Sequence, residues 1–193
     1  MGLCADCRAE LAGSPLIEEQ PGGPLAYAGT YTGVLRTAVV VAKERKALGL
    51  VGVLGGLLAG ALAALALRQD TGVLTLVPVP TVWAHIHRRG IDLPVALARV
   101  AARRLRPTGM VVRVMPGLRL VRATADQARL GAAQRARNVV GAFAWPGPAP
   151  VAPVVVVDDV VTTGATMAQA MTACRQAGAQ VLGGACVART RLR

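Results

Sequence analysis

Two adjacent carboxylates, Asp158 and Asp159, follow the four valines Val154 to Val157 and lead into Val160, Val161, Thr162, Thr163, Gly164, Ala165 and Thr166. A run of that apolarity reads as a buried strand, and the Thr/Gly stretch reads as a loop opening a helix that begins near Ala165 and closes at Gly178. Carboxylates placed at such a strand end can accept hydrogen bonds from sugar hydroxyls. Backbone N–H groups at the helix start, with the hydroxyls of Thr162, Thr163 and Thr166, can hold a phosphate dianion, because unpaired donors and the helix dipole both favour negative charge there. Taken together, these residue types suit a sugar phosphate. The competing reading is an ordinary strand-to-helix turn in which Thr caps a helix and the carboxylates are merely solvated, although packing alone does not explain paired acids after four valines.

The elements that must position this segment follow from period and punctuation. Helical signals fill about 31 to 46 and 50 to 68, and Val73 to Val79 reads as a buried strand ending at Pro80. Asp92 can cap a helix running to about Leu105, with Pro94 tolerated in its first turn. Strands are expected near 110 to 115 and 117 to 122, and a polar helical stretch near 126 to 138. The strand at 153 to 158, a helix from 165 to 177 and a strand near 180 to 188 complete the chain, with Pro146 to Pro153 as a Pro/Gly loop. Strands alternating with helices predict an α/β fold with a mostly parallel sheet, whose ligands sit at the carboxyl ends of the strands.

At 193 residues the chain is long enough for one domain with a real core. Aromatic residues make up only 3% of it, so that core must be aliphatic, as in parallel sheets. No charged residue occurs from Ala47 to Leu67, a length that could span a bilayer. Five glycines within it and a strand following after one short turn favour a core helix instead. No basic, apolar leader opens the chain and the cysteines read as reduced thiols, so a cytoplasmic location is expected.

The net charge of +12 is uneven. Residues 1 to 92 carry 8 basic and 7 acidic side chains, whereas residues 93 to 193 carry 14 and 3, and two of those three acids are Asp158 and Asp159. A basic half of this kind favours a polyanionic ligand, either a pyrophosphate ester or a nucleic acid, and charge alone does not choose between them. Arg88 and Arg89, shortly after the predicted strand end at Val79-Pro80-Thr81, can clamp phosphates or simply form a solvated surface. His85 and His87 are left without a role.

The segment from Val154 to Thr166 resembles the phosphoribosyl pyrophosphate signature of class I phosphoribosyltransferases. A longer series is similar to the ComF family, also called ComF/GntX or amidophosphoribosyltransferase-like: Cys4-Ala5-Asp6-Cys7, Tyr31-Thr32-Gly33 leading to Lys43, Val77-Pro78-Val79-Pro80, Arg88-Arg89-Gly90, Arg122 with Thr124 and Gln127, and Arg135 through Asn138 to Phe143. The resemblance implies a class I phosphoribosyltransferase-like fold, mostly parallel and flanked by helices, spanning 15 to 193 behind a short N-terminal remnant of a zinc ribbon at 1 to 14. It implies that Asp158 and Asp159 face the ribose hydroxyls, that the loop from Val160 to Thr166 wraps the 5'-phosphate, and that Val79, Pro80 and Thr81 form the pyrophosphate loop. Lys43, Arg122, Gln127, Arg135 and Asn138 would belong to a cover or lid over the site. Magnesium is expected with phosphoribosyl pyrophosphate, held by substrate oxygens rather than a protein cage. Cys4 and Cys7 are one half of the paired CxxC spacing of the family's zinc site, so zinc is not expected. The family is linked to DNA uptake during competence, which implies a second reading: a non-catalytic protein binding single-stranded DNA or a helicase-like partner. The acceptor of the ribose has no legible motif, and neither does the oligomeric state.

Overall fold

Successive elements are built around one sheet in the computed structural model, which describes residues 3–44, 47–81, 90–121 and 140–190. Helix α1 (Ala5–Leu11) precedes an antiparallel hairpin, β1 (Leu16–Gln20) and β2 (Gly23–Thr30). Helices α2 (Gly33–Glu44) and α3 (Leu48–Arg68) lead to β3 (Val73–Pro78), α4 (Leu93–Leu105) and β4 (Val111–Val114). Short strands β5 (Arg119–Leu120) and β6 (Phe143–Ala144) pair antiparallel apart from the main sheet, followed by β7 (Val154–Val161), α5 (Ala165–Gln176) and β8 (Val181–Arg189). The sheet runs in the order β1-β2-β8-β7-β3-β4, parallel throughout except for β1. The expected α/β class with a mostly parallel sheet is therefore observed.

Both faces of this sheet are covered, which is why the β7 valines form an unbroken apolar run rather than alternating with polar residues. Val155 and Val157 face α2, α3 and α4 in one buried cluster, and Val154 and Val156 face α5 and the β5–β6 ribbon in the other. From β7 the chain returns through α5 to β8 on one side, whereas from β3 it passes through α4 to β4 on the other. Opposite travel with a shared crossover hand puts α4 and α5 on opposite faces and opens a crevice between the carboxyl ends of β7 and β3.

Helix α3 explains the uncharged run. Its segment Gly49–Arg68 has a mean hydropathy of 2.4, long and apolar enough to cross a membrane by length and composition. Here Leu54, Leu58, Leu62 and Leu65 are fully buried against the sheet and α4. Each such leucine contributes about 1.5–3 kcal/mol of transfer free energy, enough to make this the central helix of the larger core. Gly55 lets α4 approach: a Cβ there would stand 2.5 Å from Val100 Cβ.

Several boundaries differ from the sequence expectation. The helix expected from residue 31 begins at Gly33, because Tyr31 still follows β2 and its N–H donates to Arg189 O. The strand expected to end at Asp158 continues to Val161, because its ladder with β8 extends that far. The strand expected at 117 to 122 shrinks to Arg119–Leu120 and leaves the main sheet, since Pro116 and Gly117 break from β4 and Gly117 packs on Trp145. The β1–β2 hairpin has no periodic signature, because its edge strand is polar at Glu18, Glu19 and Gln20. The expected helix at 126 to 138 lies outside the described residues.

Candidate functional site

Asp158 and Asp159 are consecutive residues of a strand, so their side chains start from opposite faces. Asp158 continues the face of Val154 and Val156 and pairs in register with Cys186 of β8. Asp159 continues the face of Val157, toward α2, where Lys43 sits in the last turn. Lys43 Nζ lies 2.8 Å from Asp159 Oδ2, and the Asp159 side chain is only 9% exposed. At the strand's end a cavity of about 340 Å3 brings the two faces together, lined by Tyr31, Lys43, Asp158, Asp159 and the loop through Val160, Val161, Thr162, Thr163, Gly164 and Thr166, with Met167 behind it.

The loop is held by its own polar groups. Asp159 N–H donates to Asp158 Oδ1 at 2.8 Å, and Val160 N–H donates to Asp159 Oδ1 at 2.7 Å. Gly164 has φ of +83°, a left-handed conformation that costs glycine nothing and turns the chain into α5. Ala165 N–H donates to Thr163 Oγ1 at 3.4 Å, so one donor at the helix start is already partly engaged.

Charge at the site is set by burial. The Asp158 carboxyl is pushed up to about 8, first by burial and then by the Asp159 carboxylate beside it, with Lys43 pulling the other way. Burial is the largest influence on Lys43 and opposes its charge, but Asp159, with smaller contributions from Asp158 and Tyr31, raises the ammonium above its ordinary value. The Asp158 carboxyl therefore holds its proton to higher pH than an ordinary carboxyl, beside an Asp159 carboxyl paired with the Lys43 ammonium. Asp92 is also raised by burial, while Thr81 Oγ1 donates to its Oδ1 at 3.2 Å.

The structure brings together Asp158, Asp159, the expected loop and Lys43 of α2, which was expected as part of a lid, and it adds Tyr31 and Met167. Val79, Pro80 and Thr81 do follow β3, beside β7, with Val79 N–H donating to Val157 O; they are not among the described residues lining this cavity. Arg88, Arg89, Arg122, Gln127, Arg135 and Asn138 lie outside the described residues, as do His85 and His87. Tyr31 and Met167 are absent from the sequence-based site because nothing in their spacing points to the loop. Only the parallel pairing of β2 with β8 carries Tyr31 there.

Cys4 is exposed and Cys7 half-buried at the start of α1, which docks on α2 through Glu10 Oε1 accepting from Val34 N–H. Cys174 and Cys186 are buried away from them. Among the described residues no group of three or more His, Cys, Asp or Glu side chains converges to hold a metal. No protein-family model matches the chain, and a search of curated proteins finds no match.

Proposed function

We propose that the chain is a phosphoribosyltransferase-like protein of the ComF type, binding phosphoribosyl pyrophosphate or a related sugar phosphate through Asp158 to Thr166. The observation that carries this reading is the acid pair at the carboxyl end of a central parallel strand, sharing one cavity with a Thr/Gly loop that opens α5. Strand ends at a crevice of this kind are where doubly wound sheets hold their ligands. Ribose hydroxyls would meet the two carboxyls, and the 5'-phosphate would lie over the helix start with the Thr162, Thr163 and Thr166 hydroxyls. Displacing pyrophosphate from the sugar passes through a cation-like ribose, so the protein's part is mainly orientation and charge placement. Asp159, fixed by Lys43, is the carboxylate placed to stabilise that charge. The cytoplasmic location stays part of this proposal.

Magnesium, implied by the resemblance, does not fit the acid pair as direct ligands. Asp159 Oδ2 faces the Lys43 ammonium and Oδ1 accepts from Val160 N–H, while Asp158 Oδ1 accepts from Asp159 N–H, so a metal at the pair would meet a cation already in place.

Calorimetric titration of phosphoribosyl pyrophosphate tests the reading, with the Asp158→Asn, Asp159→Asn double variant as control. The wild type should bind and the double variant should not. Equal affinity of a folded double variant would remove the site assignment.

A second reading is favoured by one surface. Arg99, Arg103, Arg104, Arg106, Arg113 and Arg119 are exposed on α4, β4 and their neighbours, and no acidic residue occurs from 93 to 121. Such a surface fits the backbone of single-stranded DNA, with affinity that falls steeply as salt rises. A flat salt response would exclude it.

A further inference from the structure

We propose that Lys43 is the built-in counter-cation of the acid pair, so that the sugar end of the ligand is held without a divalent metal. This inference rests on the sugar-phosphate reading of the cavity and goes beyond it by assigning a positioning role to a residue of α2.

Three observations support it. The Lys43 ammonium is 2.8 Å from Asp159 Oδ2, so the buried carboxylate already has a cation against it. The remaining Asp159 oxygen is committed to Val160 N–H, so the carboxylate has one fixed orientation, set from both ends. Asp158 is bound to the same unit through Asp159 N–H, the cavity lining adds Tyr31 and the Thr162–Thr166 loop, and although Asp92 lies near enough to feel the Asp159 carboxyl, no three such side chains converge to hold a metal among the described residues. A divalent ion drawn to the pair would have to displace the ammonium or sit beside it against like charge. An ammonium on a helix, in contrast, is always present and needs no loading. With Lys43 in place, Asp159 keeps acceptor lone pairs for a sugar hydroxyl while its charge is balanced, which lowers the cost of burying it. Phosphates alone are then left to recruit metal.

The test uses ribose 5-phosphate, which carries the sugar hydroxyls and one phosphate but no pyrophosphate. Its affinity is measured by calorimetry in the presence of EDTA and again with magnesium, for the wild type, Lys43→Met and Lys43→Arg. Wild-type affinity should agree within about twofold between the two conditions. Lys43→Met should weaken binding in EDTA by about tenfold or more, the scale of one lost charge-assisted contact, and recover part of it with magnesium. Lys43→Arg should retain metal-independent binding. Wild-type binding that requires magnesium overturns the proposal, and so does a folded Lys43→Met that binds in EDTA like the wild type. Should Lys43→Met fail to fold, the wild-type comparison still decides. Absence of ribose 5-phosphate binding under both conditions overturns the sugar-phosphate reading itself and this proposal with it, an outcome distinct from metal-dependent binding.

Discussion

Replacing Asp158 by Asn should make the protein's stability less sensitive to pH on the alkaline side. The unfolded carboxyl titrates near its ordinary 3.8, whereas the folded one is raised to about 8. Between those values the folded chain holds a proton that the unfolded chain has lost. This group's contribution is therefore fully present below about pH 4 and is lost as pH rises through about 8, with a limiting slope of about 1.4 kcal/mol per pH unit. From pH 6 to pH 8.5 the ceiling is about 3 kcal/mol, and about 1–2 kcal/mol is expected because the carboxyl opens onto the cavity and is reached by water. Asparagine has nearly the same shape, can still accept from Asp159 N–H, and leaves the Lys43–Asp159 pair in place. Urea unfolding of both proteins, followed by circular dichroism across this range, gives the difference, since titrating groups away from the cluster cancel. The variant should be close to the wild type at pH 6 and gain about 1–2 kcal/mol relative to it by pH 8.5. A difference that stays constant with pH would refute the reasoning.

Two glycines of α3 make a matched pair. Gly55→Ala places a methyl 2.5 Å from Val100 Cβ and 3.3 Å from Leu97 O, so it should cost about 1–3 kcal/mol in thermal or urea unfolding, as overpacking does. Gly60→Ala meets nothing within 4 Å and should be neutral or stabilise by up to about 1 kcal/mol; equal effects would show that α3 and α4 are not in close contact at Gly55. Thiol alkylation should also discriminate. Hydrogen bonds from the Cys7 backbone and thiol lower Cys4, which is exposed, whereas burial raises Cys174 to about 11 and raises Cys186 further. Mass spectrometry after brief iodoacetamide treatment near pH 7.5 should find Cys4 modified first and Cys186 only after unfolding, and early Cys186 labelling would contradict the packing of β8.

How much of this was legible in the residues depends on how local each signal is. The valine run, the acid pair and the Thr/Gly turn lie within thirteen consecutive positions, so strand, loop and helix could be read there without knowing any neighbour. The uncharged stretch to Leu67 and the Pro94 helix start were equally local, and both became helices near their expected bounds. The β1–β2 hairpin was not legible, because an edge strand solvated on one side carries Glu and Gln where a central strand carries Val. The extension of β7 to Val161 was not legible either, since it depends on β8 offering partners through Arg189.

The sequence by itself determined which groups could do chemistry, because the identity and adjacency of two carboxylates, three threonines and a glycine are properties of the chain. The tertiary structure decided their charge and company. Asp158 and Asp159 are alike in sequence, yet strand alternation sends one toward Cys186 and the other toward Lys43, more than a hundred residues away. Burial then raises the first, and the Lys43 ammonium pairs with the second. Desolvation and Coulomb attraction depend on distances in space, and no spacing along the chain encodes them until the sheet and α2 have packed.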